Sequence, residues 1–122
     1  MRNFKELKIW QKGFQIAINS FRITESFPSQ EKYGLASQIN KAGVSIPSNI
    51  AEGMGRNYKK DTIQFVHIAR GSMYELETLL NIAVMVDIIS EEEFAVFPPL
   101  IDELLKMMNG LIKSLEQRSD LK

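Results

Sequence analysis

The sequence predicts an all-α protein, an antiparallel up-and-down four-helix bundle with kinks at Pro47 and at Pro98-Pro99. Three observations predict it. Apolar side chains recur at intervals of three and four residues along most of the chain. No segment alternates with period two, so no strand is expected. Breakers gather at only a few points, around Pro28, Gly53-Gly55 and Pro98-Pro99, and leave four amphipathic stretches of about 20–30 residues each. A single domain over residues 1–122 suits this length, which buries roughly two-thirds of the unfolded surface.

The first run, Leu7, Trp10, Phe14, Ala17, Ile18 and Phe21, sets an aromatic-rich stripe on one helix face. Such a stripe is most simply a core face. The helix should end near Ser26, because the residue before Pro28 is disfavoured in helical geometry. Pro28-Ser29 then opens a second helix, where a missing N–H is harmless. This helix carries an apolar stripe (Leu35, Ile39, Ala42, Ile46, Ile50) and a polar one (Gln38, Lys41, Ser45, Ser48, Glu52). Pro47 interrupts both, so a kink is expected, with Ser45 and neighbouring hydroxyls satisfying the freed carbonyls. Gly53 and Gly55 should supply a positive-φ stop.

The third helix is predicted from about Tyr58 to Asp87, with Phe65, Ala69, Ser72, Met73, Leu76, Leu80 and Ala83 inward. Gly71 within it predicts a close approach, since an internal glycine usually has a packing reason. Ser90 and Glu93 form a capping box. Pro98-Pro99 should divide the last region into a short helix near 91–97 and a longer one over 98–118. The longer piece carries the seam Ile101, Leu104, Met108, Leu111 and Leu115.

Composition narrows the function. With no cysteine the chain has no disulfide, no thiol nucleophile and no thiolate metal site, and a reducing cytoplasmic setting is expected. No apolar run reaches the ~18 residues of a membrane span, and the charged start (Arg2, Lys5, Glu6) does not read as a secretory leader. The 15 basic and 15 acidic residues cancel, yet residues 1–60 hold ten basic and four acidic side chains while residues 61–122 hold five and eleven. Such a partition suits either a basic surface for a polyanion or self-complementary faces in an oligomer.

The familiar catalytic and metal constellations are missing. A di-iron bundle needs two Glu-x-x-His motifs, whereas the one histidine, His67, follows Gln64 at that spacing. Gly53-Met54-Gly55-Arg56 lacks both a preceding strand and a Gly-Lys-Ser/Thr ending, so it is no phosphate loop. No metal, cofactor or small-molecule substrate is implied. Two basic patches remain as candidate nucleic-acid contacts. One is Arg56, Lys59 and Lys60 around Asn57 and Tyr58, an aromatic able to stack on a base; the other is the row Lys5, Lys8, Lys12. Ser45, Asn49 and Glu52 on helix two, with Arg70 and Glu75 on helix three, stand among apolar neighbours and are expected to bond between helices as a structural network. A hydrolytic site built from Glu52, Arg70 and Glu75 lacks a nucleophile or base partner.

The stretch Tyr33-Gly34-Leu35-Ala36-Ser37-Gln38-Ile39, the core Val44-Ser45-Ile46-Pro47-Ser48-Asn49-Ile50-Ala51-Glu52-Gly53, and Ile68-Ala69-Arg70-Gly71-Ser72 with Glu75-Leu76-Glu77-Thr78 resemble the bacterial four-helix-bundle family first noted as reading frames in 23S rRNA intervening sequences, sometimes labelled ribosomal protein-like. Leu7-Lys8-Ile9-Trp10-Gln11-Lys12 and Leu111-Ile112-Lys113-Ser114-Leu115 look like its opening and closing signatures. The resemblance implies an antiparallel bundle assembled as a homopentameric ring and no enzymatic activity. It also implies a distant kinship with the accessory variability proteins of diversity-generating retroelements, basic pentameric barrels that bind nucleic acid and a reverse transcriptase. The expected function is therefore that of a non-enzymatic, oligomeric RNA- or DNA-associated accessory protein. The rival is a structural or protein-interaction module that binds no nucleic acid.

Overall fold

Residues 3–118 are described by the computed structural model; Arg2, counted above in the basic half, lies outside them. Five helices appear: α1 (Lys8–Thr24), α2 (Leu35–Met54), α3 (Lys59–Met85), the single turn α4 (Glu91–Phe94) and α5 (Phe97–Gln117), with 3₁₀ turns at Phe4–Glu6 and Ser29–Glu31. The four long ones form an all-α bundle in which α1 and α3 each pack on both α2 and α5 and so occupy opposite corners. At 27 residues, α3 spans about 40 Å. Among the described residues there is no strand, and none of the helices is long and apolar enough to cross a membrane.

The core is built from one stripe per helix. Ile16 and Ile23 of α1, Ile39, Ile46 and Ile50 of α2, Val66, Met73, Leu76 and Leu80 of α3, and Phe97, Ile101, Leu104 and Met108 of α5 meet in it. The stripes anticipated for α2, α3 and α5 largely coincide with these residues. The stripe anticipated for α1 does not: its buried face is Gly13, Ile16, Ala17, Ser20 and Ile23. Phe14 and Phe21, read as core, are 46% and 48% exposed. The two stripes sit side by side on one helix, and the smaller side chains face inward because α2 comes so close. A Cβ at Gly13 would lie 3.2 Å from Ile46 and Ile50.

Several local expectations are corrected. Pro28-Ser29 opens only a 3₁₀ turn, and α2 begins at Leu35 after Gly34. The helix α2 then runs through Pro47 without interruption, while the Ser45 hydroxyl pairs with Ser72 rather than with a freed carbonyl. The division at Pro98-Pro99, by contrast, is as expected: the prolines follow the short α4 and lie in the first turn of α5, where absent N–H groups leave nothing unpaired. Among the described residues no glycine has positive φ, and Gly55 closes α2 at φ −91°. Gly53 has a different purpose. It is buried, and a Cβ there would lie 2.8 Å from the Phe65 Cβ and 3.3 Å from the Thr62 carbonyl oxygen, so it lets α3 approach. Gly71 has no such reason, for nothing lies within 4 Å of its would-be Cβ.

The end of α3 has a motif the sequence hid. Asp87 adopts φ 62°, the Ile88 N–H donates to the Ala83 carbonyl at 2.9 Å, and the Asp87 N–H donates to that of Val84 at 3.0 Å. This is a Schellman stop with aspartate in the place usually held by glycine. The Ser90–Glu93 capping box forms as expected, with the Glu93 N–H donating to Ser90 Oγ at 3.0 Å and the Ser90 N–H to Glu93 Oε1 at 2.8 Å.

Candidate nucleic-acid interface

The turn between α2 and α3 gathers Arg56, Asn57, Tyr58, Lys59 and Lys60 within one short segment, all exposed except the half-buried Lys59. Its geometry follows from the two helix ends it joins. Thr62 donates its hydroxyl to the Gly53 carbonyl at 2.8 Å and ties the start of α3 to the last turn of α2. Arg56 then reaches back four residues to Glu52, Nη2 to Oε2 at 2.6 Å, while its guanidinium carbon sits 4.6 Å from the centre of the Phe65 ring. The Lys59 ammonium donates to the Arg118 carbonyl at the end of α5. Lys60 and the half-exposed Tyr58 project from the first turn of α3.

The second basic row starts at the same end of the α1–α2 pair. Helices α1 and α2 run antiparallel, since Gly13 lies against Ile50, and Gly43 against Ser20. Phe4 and Ala51 accordingly line one groove, while Lys8 lines a separate cleft with Lys12 and Glu103 of α5. Lys5 and Lys8 are exposed, whereas Lys12 bridges to Glu103 of α5, Nζ to Oε1 at 2.9 Å.

The polar residues expected as one network are divided among separate pairings. The Ser45 and Ser72 hydroxyls bond across α2 and α3 at 2.8 Å, and the Asn49 amide donates to the Ser45 carbonyl and hydroxyl at 2.8 and 2.9 Å. Glu52 is exposed and held by Arg56 instead. Arg70 turns the other way, donating to Asn109 Oδ1 of α5 at 2.7 Å and meeting His67 Nδ1 at 2.7 Å. Glu75 is exposed. The reason is rotational: Ser72 sits on the side of α3 that faces α2, and Arg70 on the side that faces α5. A polar stripe in sequence thus reaches two different neighbours.

Sequence reasoning missed an aromatic groove on the surface. A groove of about 370 Å³ runs between α1 and α2, lined by Trp10, Phe14, Phe21, Val44 and Pro47 among others. Trp10 stacks on Phe14 at 4.8 Å between ring centroids and takes Phe4 edge-on at 5.4 Å. The aromatic stripe itself was the signal, for an apolar stripe beside a second, smaller-residue stripe leaves one of the two outside. Among the described residues no group of three His, Asp or Glu is placed to hold a metal ion, and no buried side-chain polar atom lacks a partner.

Residues 5–110 match the family described as 23S rRNA-intervening sequence protein. No curated protein matches the chain in sequence. Among solved structures, a protein of unknown function from the S23 ribosomal protein family of Bacteroides thetaiotaomicron superposes with a TM-score of 0.79 at 23% identity, covering 86% of this chain and 98% of its own. That likeness shows the fold alone.

Proposed function

The chain belongs to the 23S rRNA-intervening sequence protein family, and from that premise we propose that it is a non-enzymatic, cytoplasmic, homo-oligomeric bundle that associates with RNA or DNA. The observation that carries the reading is the exposed cluster at the α2–α3 turn, where Arg56, Lys59 and Lys60 surround Tyr58 at the start of the longest helix. A helix start favours phosphate oxygens, lysine and arginine add charge without demanding a base sequence, and a tyrosine face offers stacking. Lys5 and Lys8 extend the same positive end, with Lys12 partly committed to Glu103. The kinship with retroelement accessory variability proteins belongs to this proposal and supplies its oligomer, a ring that repeats each patch and sums the field. The side chains from which an acid–base centre would be assembled are occupied elsewhere, Glu52 by Arg56, and Arg70 by Asn109 and His67.

Gel-shift titrations with single-stranded RNA and duplex DNA at two salt concentrations test it. Binding at low salt should weaken steeply as salt rises. Replacing Arg56, Lys59 and Lys60 together by Gln should lower the log–log salt slope by about 0.7–0.9 per lost phosphate contact. Unchanged affinity in a variant of native helicity overturns the site. No binding by the wild type at low salt leaves the interaction-module reading, which the exposed aromatic groove favours.

A further inference from the structure

We propose that two faces of this chain are the complementary halves of a head-to-tail contact between copies: the aromatic groove of α1–α2 and the outer face of the C-terminal half of α3. The inference rests on the oligomeric part of the proposed function and assigns the surfaces that part requires.

Both faces expose more apolar surface than a lone bundle needs. In the groove, Phe14, Phe21 and Val44 are 46%, 48% and 42% exposed; on α3, Ile82, Met85 and Val86 are 45%, 80% and 56% exposed. Contiguous patches of this kind mark binding surfaces.

Charge selects the occupant. Helix α1, and α2 as far as Ala51, contain no acidic residue. Arg22 and Lys41 are exposed on them, Lys8 and Lys12 line a separate cleft with Glu103 of α5, and Glu52, next along α2, is held by Arg56. A second cleft shares Phe21 and Val44 with the groove and adds Lys32 beside Lys41. The α3 face is the converse: from Ser72 to Asp87 there is no basic residue, Glu77 lines one cleft with Ile82, Met85 and Val86, and the exposed Glu75 and Asp87 belong to the same stretch. Groove against groove would set lysines and arginines against one another, which costs affinity, whereas groove against α3 pairs opposite signs around an apolar middle.

Geometry gives the contact its symmetry. Because α1 and α3 hold opposite corners of the bundle, one copy cannot satisfy both faces with the same neighbour through a two-fold axis. Each copy offers its groove to one neighbour and its α3 face to another, and such heterologous contacts close into a ring or extend into a filament.

Charge reversal measured by light scattering over a concentration series tests the assignment. R22E/K41E and E75K/E77K should each raise the half-assembly concentration about tenfold or more at low salt, a loss of about 1.4 kcal/mol. The quadruple variant, with both rims reversed, should recover assembly. An oligomer indifferent to both pairs, or a quadruple variant no better than either, overturns the face assignment and leaves the oligomer standing. A wild type that stays monomeric overturns both. The absence of native cysteine permits a second readout with a short bis-maleimide. V44C mixed with I82C should cross-link, and V44C alone should not; self-linking of V44C would replace the head-to-tail contact with a groove-to-groove one. All these positions are exposed except the half-buried Glu77, and circular dichroism verifies that the variants keep their helicity.

Discussion

Gly53 and Gly71 look alike in the sequence, each a glycine within an apolar helical pattern, yet their surroundings make them opposites. At Gly53 an added methyl meets the Phe65 Cβ at 2.8 Å and the backbone of Thr62 at 3.3 Å, atoms that move only if α2 and α3 separate. Gly53→Ala should destabilise the fold by about 1–3 kcal/mol, as overpacking does. At Gly71 nothing lies within 4 Å, so Gly71→Ala should stabilise α3 by about 0.5–1 kcal/mol through backbone entropy alone. Thermal melts of the two variants should move in opposite directions; a common direction would contradict the contact geometry. Only coordinates separate the two, because a glycine in a sequence announces a small side chain and not the neighbour that requires it. The same holds for Arg70, whose register on α3 fixes its reach toward Asn109 rather than toward Glu52.

Helix by helix, what could be read in advance was whatever repeats with the helical period. The seams through Ile39, Ile46 and Ile50, and through Ile101, Leu104 and Met108, line the core, and the Ser90–Glu93 box caps its helix. Termini marked by proline were harder. Pro28 suggested a helix start and gave a 3₁₀ turn, because Gly34 delays the next helix to Leu35. Pro98-Pro99, by contrast, was legible: it divides the last region as expected, into the single turn α4 and the long α5 that the prolines help to open. The stop at Asp87 had no glycine to announce it. An aspartate at φ 62° is held there by the two Schellman hydrogen bonds, and a left-handed conformation costs a non-glycine residue roughly 1–2 kcal/mol. Asp87→Gly should therefore raise the stability of the isolated chain by up to about 1 kcal/mol, measured by chemical denaturation. A loss instead would mean that the carboxylate itself caps the helix.

For the molecule as a whole, period predicted the bundle but did not say which aromatic face its own chain would leave uncovered. The stripe Trp10, Phe14, Phe21 is as regular as any core seam. Phe14 and Phe21 lie outside because Gly13, Ala17 and Ser20 bring α1 close to α2 and leave no room for an aromatic ring between them, while Trp10 is partly buried against the core. One result is optical. Trp10 is the protein's single indole, and it forms part of the wall of the groove assigned to a neighbouring copy, stacked on Phe14. Its fluorescence is then a built-in gauge of occupancy. Dilution through the dissociation range should shift emission to longer wavelength and open the ring to iodide quenching. Constant emission while light scattering records dissociation would place the contact elsewhere on the bundle.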